Sequence, residues 1–180
     1  MQLPSSSEVI LFSNASCASD GLCGYSRPGS VAYHGFGGAS KVFLLEFAMP
    51  HDGAAGAADM PAVWLLNALI PRTQQYGACS CWANTAGCGE LDLFEVLTPG
   101  DARCVTSLHG SQAGGDADYF ARPTAGTLKA AVVMSGEQAH VKILNAAFTF
   151  DGVLSAATFA NLYSTSSNYV GGNSSTVTLA

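Results

Sequence analysis

The stretch CGELDLFEVL, residues 88–97, sets three carboxylates, Glu90, Asp92 and Glu95, within six positions. Between Thr73 and Gly100 these are the only charged side chains. In a regular β-strand successive side chains alternate faces. Glu90 and Asp92 would then share one face and Glu95 would take the other, so Leu91, Leu93, Val96 and Leu97 could not all be buried together. A single β-bulge at Leu93–Phe94 resolves the conflict, because one added residue flips the parity and brings Glu95 round to Glu90 and Asp92. With that bulge the stretch reads as one sheet strand with an apolar face and an acidic face.

On such a face Glu90 and Glu95 would stand near the roughly 5–5.5 Å that separates the two carboxyls of a retaining glycosidase. One would attack the anomeric carbon and the other would protonate the leaving oxygen. Asp92 between them would hydrogen-bond a neighbour and, by like-charge repulsion, help keep one glutamate protonated. A nearby Lys or Arg would undo that effect, and none is present. Two plainer readings compete: an acidic, solvent-facing edge strand, and a calcium site, since three carboxylates suit a hard cation.

The chain around this strand has 180 residues, 48% of them apolar and only 11% charged, with a net charge of −6. An average soluble domain carries about 25% charged residues. Gly, Ser, Thr and Asn fill the gap, which suits many short strands joined by turns. With seven Lys and Arg in all and no basic run, neither a nucleic acid nor an anionic membrane is an expected partner. A neutral substrate is. No apolar run approaches the ~18 residues of a membrane-spanning helix.

The start, MQLPSSSEVILF, has no basic region and is not a signal peptide. Six cysteines (17, 23, 79, 81, 88 and 104) and the sequons at Asn14 and Asn173 nevertheless suit a secreted protein. The expected reconciliation is a fragment or mature domain whose signal lies upstream.

Strand-like runs recur at 8–13, 30–35, 41–49, 62–70, 90–97 and 104–110, then as a hairpin at 127–135 and 140–145. Residues 50–61 read as a flexible insert and 111–123 as a Gly/Asp loop. One short helix is expected after an N-cap at Ser155. The Ser/Asn/Gly-rich stretch 164–180 reads as a tail or linker, which leaves 1–163 as a single domain. The spacing predicts an all-β antiparallel sandwich of jelly-roll type.

Several motifs carry a family resemblance. GGASKVFLLEFAMP (37–50), MPAVWLLNA (60–68), GELDLFEVL (89–97) and VTSLHG (105–110) resemble, in order, segments of the laminarinase-like family 16 glycoside hydrolases. CGYSRPGSVAYHGFGG, NALIPRTQQYG, CSCW and DYFARPT are similar to the C-terminal domain of the fungal Target-of-SBF (Tos) cell-wall family. That resemblance covers most of the chain. It implies a concanavalin-type jelly roll and a glucan endo-1,3-β-glucosidase activity, with Glu90 as nucleophile, Asp92 as its helper and Glu95 as acid/base. Within the family the bulged signature goes with β-1,3-glucans. The domain is shorter than usual for that fold.

Sugar rings present apolar C–H faces that stack on aromatic side chains. Trp82, in the Cys-bounded loop, is the first candidate platform, or else packs over disulfides. Trp64 serves either the core or a subsite, and so does Phe94 at the bulge. Tyr119 and Phe120 follow a Gly-rich loop and are weaker candidates. His109 is placed to hydrogen-bond Asp92 or a sugar, while Asn67, Arg72 and Gln75 have polar groups for sugar hydroxyls. The spacing of Cys79, Cys81 and Cys88 lacks the paired C-x₂₋₄-C of zinc sites. Disulfides are therefore expected: Cys17–Cys23, and two more among Cys79, Cys81, Cys88 and Cys104, bracketing the acidic strand.

The expectation is a secreted monomer acting on β-1,3-glucan in the fungal cell wall, with retention and with no cofactor or metal. A glucan-binding lectin and a transglycosylase are the rival readings.

Overall fold

A computed structural model of the chain describes residues 2–30, 32–53, 55–73, 89–109, 118–164 and 170–179. Among the described residues eight strands form two four-stranded antiparallel sheets, a β-sandwich. The first sheet has the order β1 (Lys41–Phe47), β6 (Leu128–Ser135), β7 (Gln138–Leu144), β8 (Val170–Thr178). The second, which carries the acidic strand, runs β2 (Ala62–Leu66), β3 (Glu90–Glu95), β4 (Arg103–His109), β5 (Asp118–Ala121). Two helices, α1 (Leu69–Arg72) and α2 (Ala156–Tyr163), and two short 3₁₀ turns complete the regular structure of the described residues. Among the described residues no helix is long and apolar enough to cross a membrane.

Alternation along the strands builds the core between the sheets. Leu91, Leu93, Phe94, Cys104 and Phe120 come from one sheet, and Ala130, Val132, Ala139, Val141 and Val177 from the other. Phe94 lies between Phe47 and Phe120, with ring centroids 5.0 Å from each. The first sheet is also covered on its outer face, where Ala131, Val133, Leu144 and Phe148 pack with Leu162 of α2. Ser155 caps α2 by accepting the Thr158 amide at 3.0 Å, as its sequence position implies. The β6–β7 hairpin closes with Ser135 opposite Gln138. Its first turn residue is Gly136 at φ +60°, a conformation that glycine adopts without strain.

Several expectations are corrected here. Residues 8–13 form no strand: Val9, Ile10 and Leu11 are exposed, and Ser13 ties the end of the segment to the His34 carbonyl. Residues 30–35 contribute an isolated bridge, Tyr33 to Ser16, in place of a strand. The loop expected over 111–123 contains β5. The supposed tail contributes β8, which pairs with β7 and buries Ser175 and Val177.

The insert 50–61 is anchored. Asp59 accepts from Arg122 Nη2 at 2.6 Å and from the Gly100 amide at 2.7 Å. Arg122 also donates to the carbonyls of Met49 and Pro50. This buried clasp fixes the crossing from β1 in one sheet to β2 in the other.

The cysteines also depart from expectation. Cys17 and Cys23 form the predicted disulfide. Cys104 is a free thiol, because the alternation of β4 turns it into the inter-sheet core, 3.7 Å from Met49 Sδ. Burial pushes that thiol up to about 11. Cys79, Cys81 and Cys88 lie outside the described residues, as do Trp82 and Gln75.

Candidate functional site

The register of β3 breaks where the parity of its sequence requires. Against β2, Asp92 pairs with Trp64 and Phe94 with Val63, so Leu93 has no partner of its own. Against β4, Asp92 pairs with Ser107 and Glu95 with Val105, which leaves Leu93 and Phe94 opposite Thr106 alone. The Thr106 hydroxyl donates to the Leu93 carbonyl at 2.7 Å, inside the core. Leu93 and Phe94 consequently both point inward, and Val96 does too. Glu95 lies on the open face with Glu90 and Asp92.

Directly paired residues share a face, so the neighbours of the carboxylates follow from the pairing. Trp64 stands beside Asp92 from β2, while the adjacent Val63 and Leu65 turn to the core. Ser107 stands opposite Asp92 and His109 opposite Glu90 from β4. His109 Nε2 lies 3.0 Å from Asp92 Oδ2. Ser107 Oγ donates to the same carboxylate oxygen at 3.3 Å and lies 3.4 Å from His109 Nε2. Ser107 had not been singled out from the sequence. Its signal is the two-residue spacing from His109 on one strand.

Glu90 and Asp92 are buried and Glu95 is half-buried. Burial raises Asp92 above its ordinary value, against the charge of His109 and the hydrogen bonds from Ser107 and His109. Glu95 is raised by burial first and by the charge of Asp92 second, with His109 pulling the other way. A carboxyl whose proton affinity is raised by its surroundings suits acid catalysis. Glu90, Asp92 and His109 also bring one ligating atom each within 4.8 Å of one another, so this trio could seat an ion as well as a sugar.

Other candidates fall elsewhere. Phe94 is fully buried on the opposite side of the sheet, so the bulge makes it a core residue and removes it as a sugar contact. Phe120 is likewise in the core. Arg72 is buried, donating to the Ala68 carbonyl and to Cys17 Sγ, and its own carbonyl accepts from the Arg27 amide. It anchors the N-terminal segment. Asn67 is exposed, but its side chain folds back onto the Leu69 amide at 3.0 Å. Tyr119 is exposed on the carboxylate side of the sheet.

The fold and site together define a β-sandwich whose bulged strand gathers three carboxylates and a histidine on its open face. The chain belongs to the family described as "Cell wall protein YJL171C/Tos1, C-terminal", which matches residues 1–162. It is 51% identical over 158 residues to the "Probable circularly permuted 1,3-beta-glucanase TOS1" of Saccharomyces cerevisiae, covering 85% of this chain and 34% of that protein. The protein of the same name from Candida albicans is 52% identical over 152 residues, covering 77% and 32%. A "Probable circularly permuted 1,3-beta-glucanase" of Arthroderma benhamiae is 47% identical over 158 residues, covering 81% and 35%. The chain thus spans about a third of the length of these relatives. No solved structure matches it.

Proposed function

We propose that this chain carries the catalytic strand of a retaining endo-glycosidase acting on β-1,3-glucan of the fungal cell wall, outside the cell, on a concanavalin-type jelly roll. Glu90 attacks the anomeric carbon, and Glu95 gives its proton to the departing glycosidic oxygen. Glu95, now a carboxylate, then takes a proton from the water that hydrolyses the glycosyl–Glu90 ester. Burial and the charge of Asp92 raise the proton affinity of Glu95, and His109 and Ser107 hold Asp92 in place. Trp64 offers an aromatic face beside the reacting carbon. The two carboxyls supply nucleophile, acid and base, so the chemistry calls for no metal. The observation that carries this reading is the bulge, which sets Glu95 within electrostatic reach of Asp92 and His109. The names of the relatives agree with it.

The test is release of new reducing ends from laminarin by the full-length protein. Glu90→Gln is expected to lower that rate by at least about 10³-fold in a folded protein, as loss of a nucleophile does. An unchanged rate would end the assignment. Binding without new ends would identify a lectin, and products longer than the substrate a transglycosylase acting through the same residues.

A further inference from the structure

Glu95, Val105 and Tyr119 form one row across three strands: Glu95 of β3 pairs with Val105 of β4, which pairs with Tyr119 of β5. Phe120, next in sequence, points into the core, so the ring of Tyr119 opens on the carboxylate side, 51% exposed. Two inter-strand spacings, roughly 10 Å, separate its backbone from that of Glu95. Arg103, two residues before Val105 and therefore on the same face, lays its guanidinium over the Tyr119 ring, 4.8 Å from the centroid. Arg103 Nε also lies 3.8 Å from Asp101 Oδ1. Val105, between ring and carboxylate, adds neither charge nor a large side chain. On the far side of Asp92 stands the second aromatic of this face, Trp64 of β2.

We propose that Tyr119 and Arg103 form a distal subsite for a neutral β-linked glucan laid across the strands, at the opposite flank of the carboxylates from Trp64. This rests on the glucan-acting reading given above. The phenol ring takes the apolar C–H face of one sugar unit. The planar guanidinium fixes the ring by a cation–π contact and turns its remaining N–H groups to sugar hydroxyls. The consequence is a preference for longer chains: only an oligomer that reaches from the carboxylates to β5 gains this contact.

Calorimetric binding of β-1,3-linked glucose oligomers of increasing length, to full-length protein carrying Glu90→Gln, tests the subsite apart from catalysis. Tyr119→Ala added to that background should weaken binding of a long oligomer about tenfold, the loss of one aromatic contact, and leave a two-unit oligomer within about twofold. Tyr119→Trp should retain long-chain binding, and Arg103→Ala should lose part of it. Long-oligomer affinity unchanged in a folded Tyr119→Ala protein overturns the subsite, while the glucanase reading stands if the wild type still cleaves laminarin. Equal weakening for short and long oligomers also overturns it. A wild type that neither binds nor cleaves overturns both.

Discussion

The hydroxyl of Thr106 bonds the carbonyl of Leu93 at 2.7 Å, and this single contact bridges the gap that the bulge opens in the β3–β4 ladder. Both residues are completely buried. An amide carbonyl stripped of its partner in such a place keeps the full desolvation cost. Thr106→Val should therefore destabilise the protein by about 1–3 kcal/mol, whereas Thr106→Ser stays near wild type. Because the bulge aims Glu95, laminarin turnover should fall in Thr106→Val even at temperatures where circular dichroism shows it folded. Full turnover in the folded variant would separate the bond from the site.

The charge of Asp92 helps raise Glu95, and an acid catalyst fails as pH rises through its folded-state pKa. Asp92→Asn removes that charge, so the alkaline limb of the kcat/KM profile should move to lower pH. A limb that stays in place, or moves upward, contradicts the coupling.

Raised carboxyls carry a stability cost at neutral pH. Glu95 binds its proton more tightly folded than unfolded, so the folded state loses stability as pH climbs from the ordinary value of 4.5 through the raised one. Glu95→Gln escapes this loss. It should melt higher than wild type at pH 7, by roughly a few degrees, and the difference should close at pH values below the ordinary one.

Asp59 behaves in the opposite sense. The hydrogen bond from Arg122, aided by His51 and the amides of Gly100 and Asp52, holds its carboxyl well below the usual carboxylate range against the effect of burial. Its contribution is complete above the ordinary value of 3.8 and fades as pH falls toward the depressed one. Asp59→Asn should accordingly unfold at lower urea than wild type at pH 7, with the two midpoints converging only in strong acid. Parallel curves down to pH 2 would contradict this.

The acidic strand was legible in its sequence because parity is unforgiving: three carboxylates on one face and Leu91, Leu93 and Val96 on the other require one extra residue, although Leu97, also expected inside, is 54% exposed. The β6–β7 hairpin was legible from its turn, two apolar runs flanking Gly136, although both faces of β6 are buried and its sequence does not alternate. The misreadings have physical causes too. EVILF is apolar without alternating, so nothing in it chooses a buried face, and Val9, Ile10 and Leu11 remain exposed. β8 hides its inward Val177 and Ser175 within a composition typical of linkers. β5 is four residues long, and its register comes from β4. The expected bridge at Cys104 follows from the secretory pattern of the cysteines and the lack of zinc-type spacing, whereas the inward parity of its strand puts it in the core. Ser107 lacked a motif of its own and became visible only through its pairing with Asp92.

The β1–β6 pairing has a consequence for how the molecule assembles. Phe47 sits opposite Leu128, so everything from 48 to 127 leaves and returns to neighbouring strands, and the whole site-bearing sheet is one contiguous excursion within that closed loop. β2 to β5 pair in sequence order, each strand with the next. Closing β1 on β6 spans the longer loop, whose closure entropy grows only logarithmically with length. That one pairing therefore joins the two points at which the chain enters and leaves the site-bearing sheet.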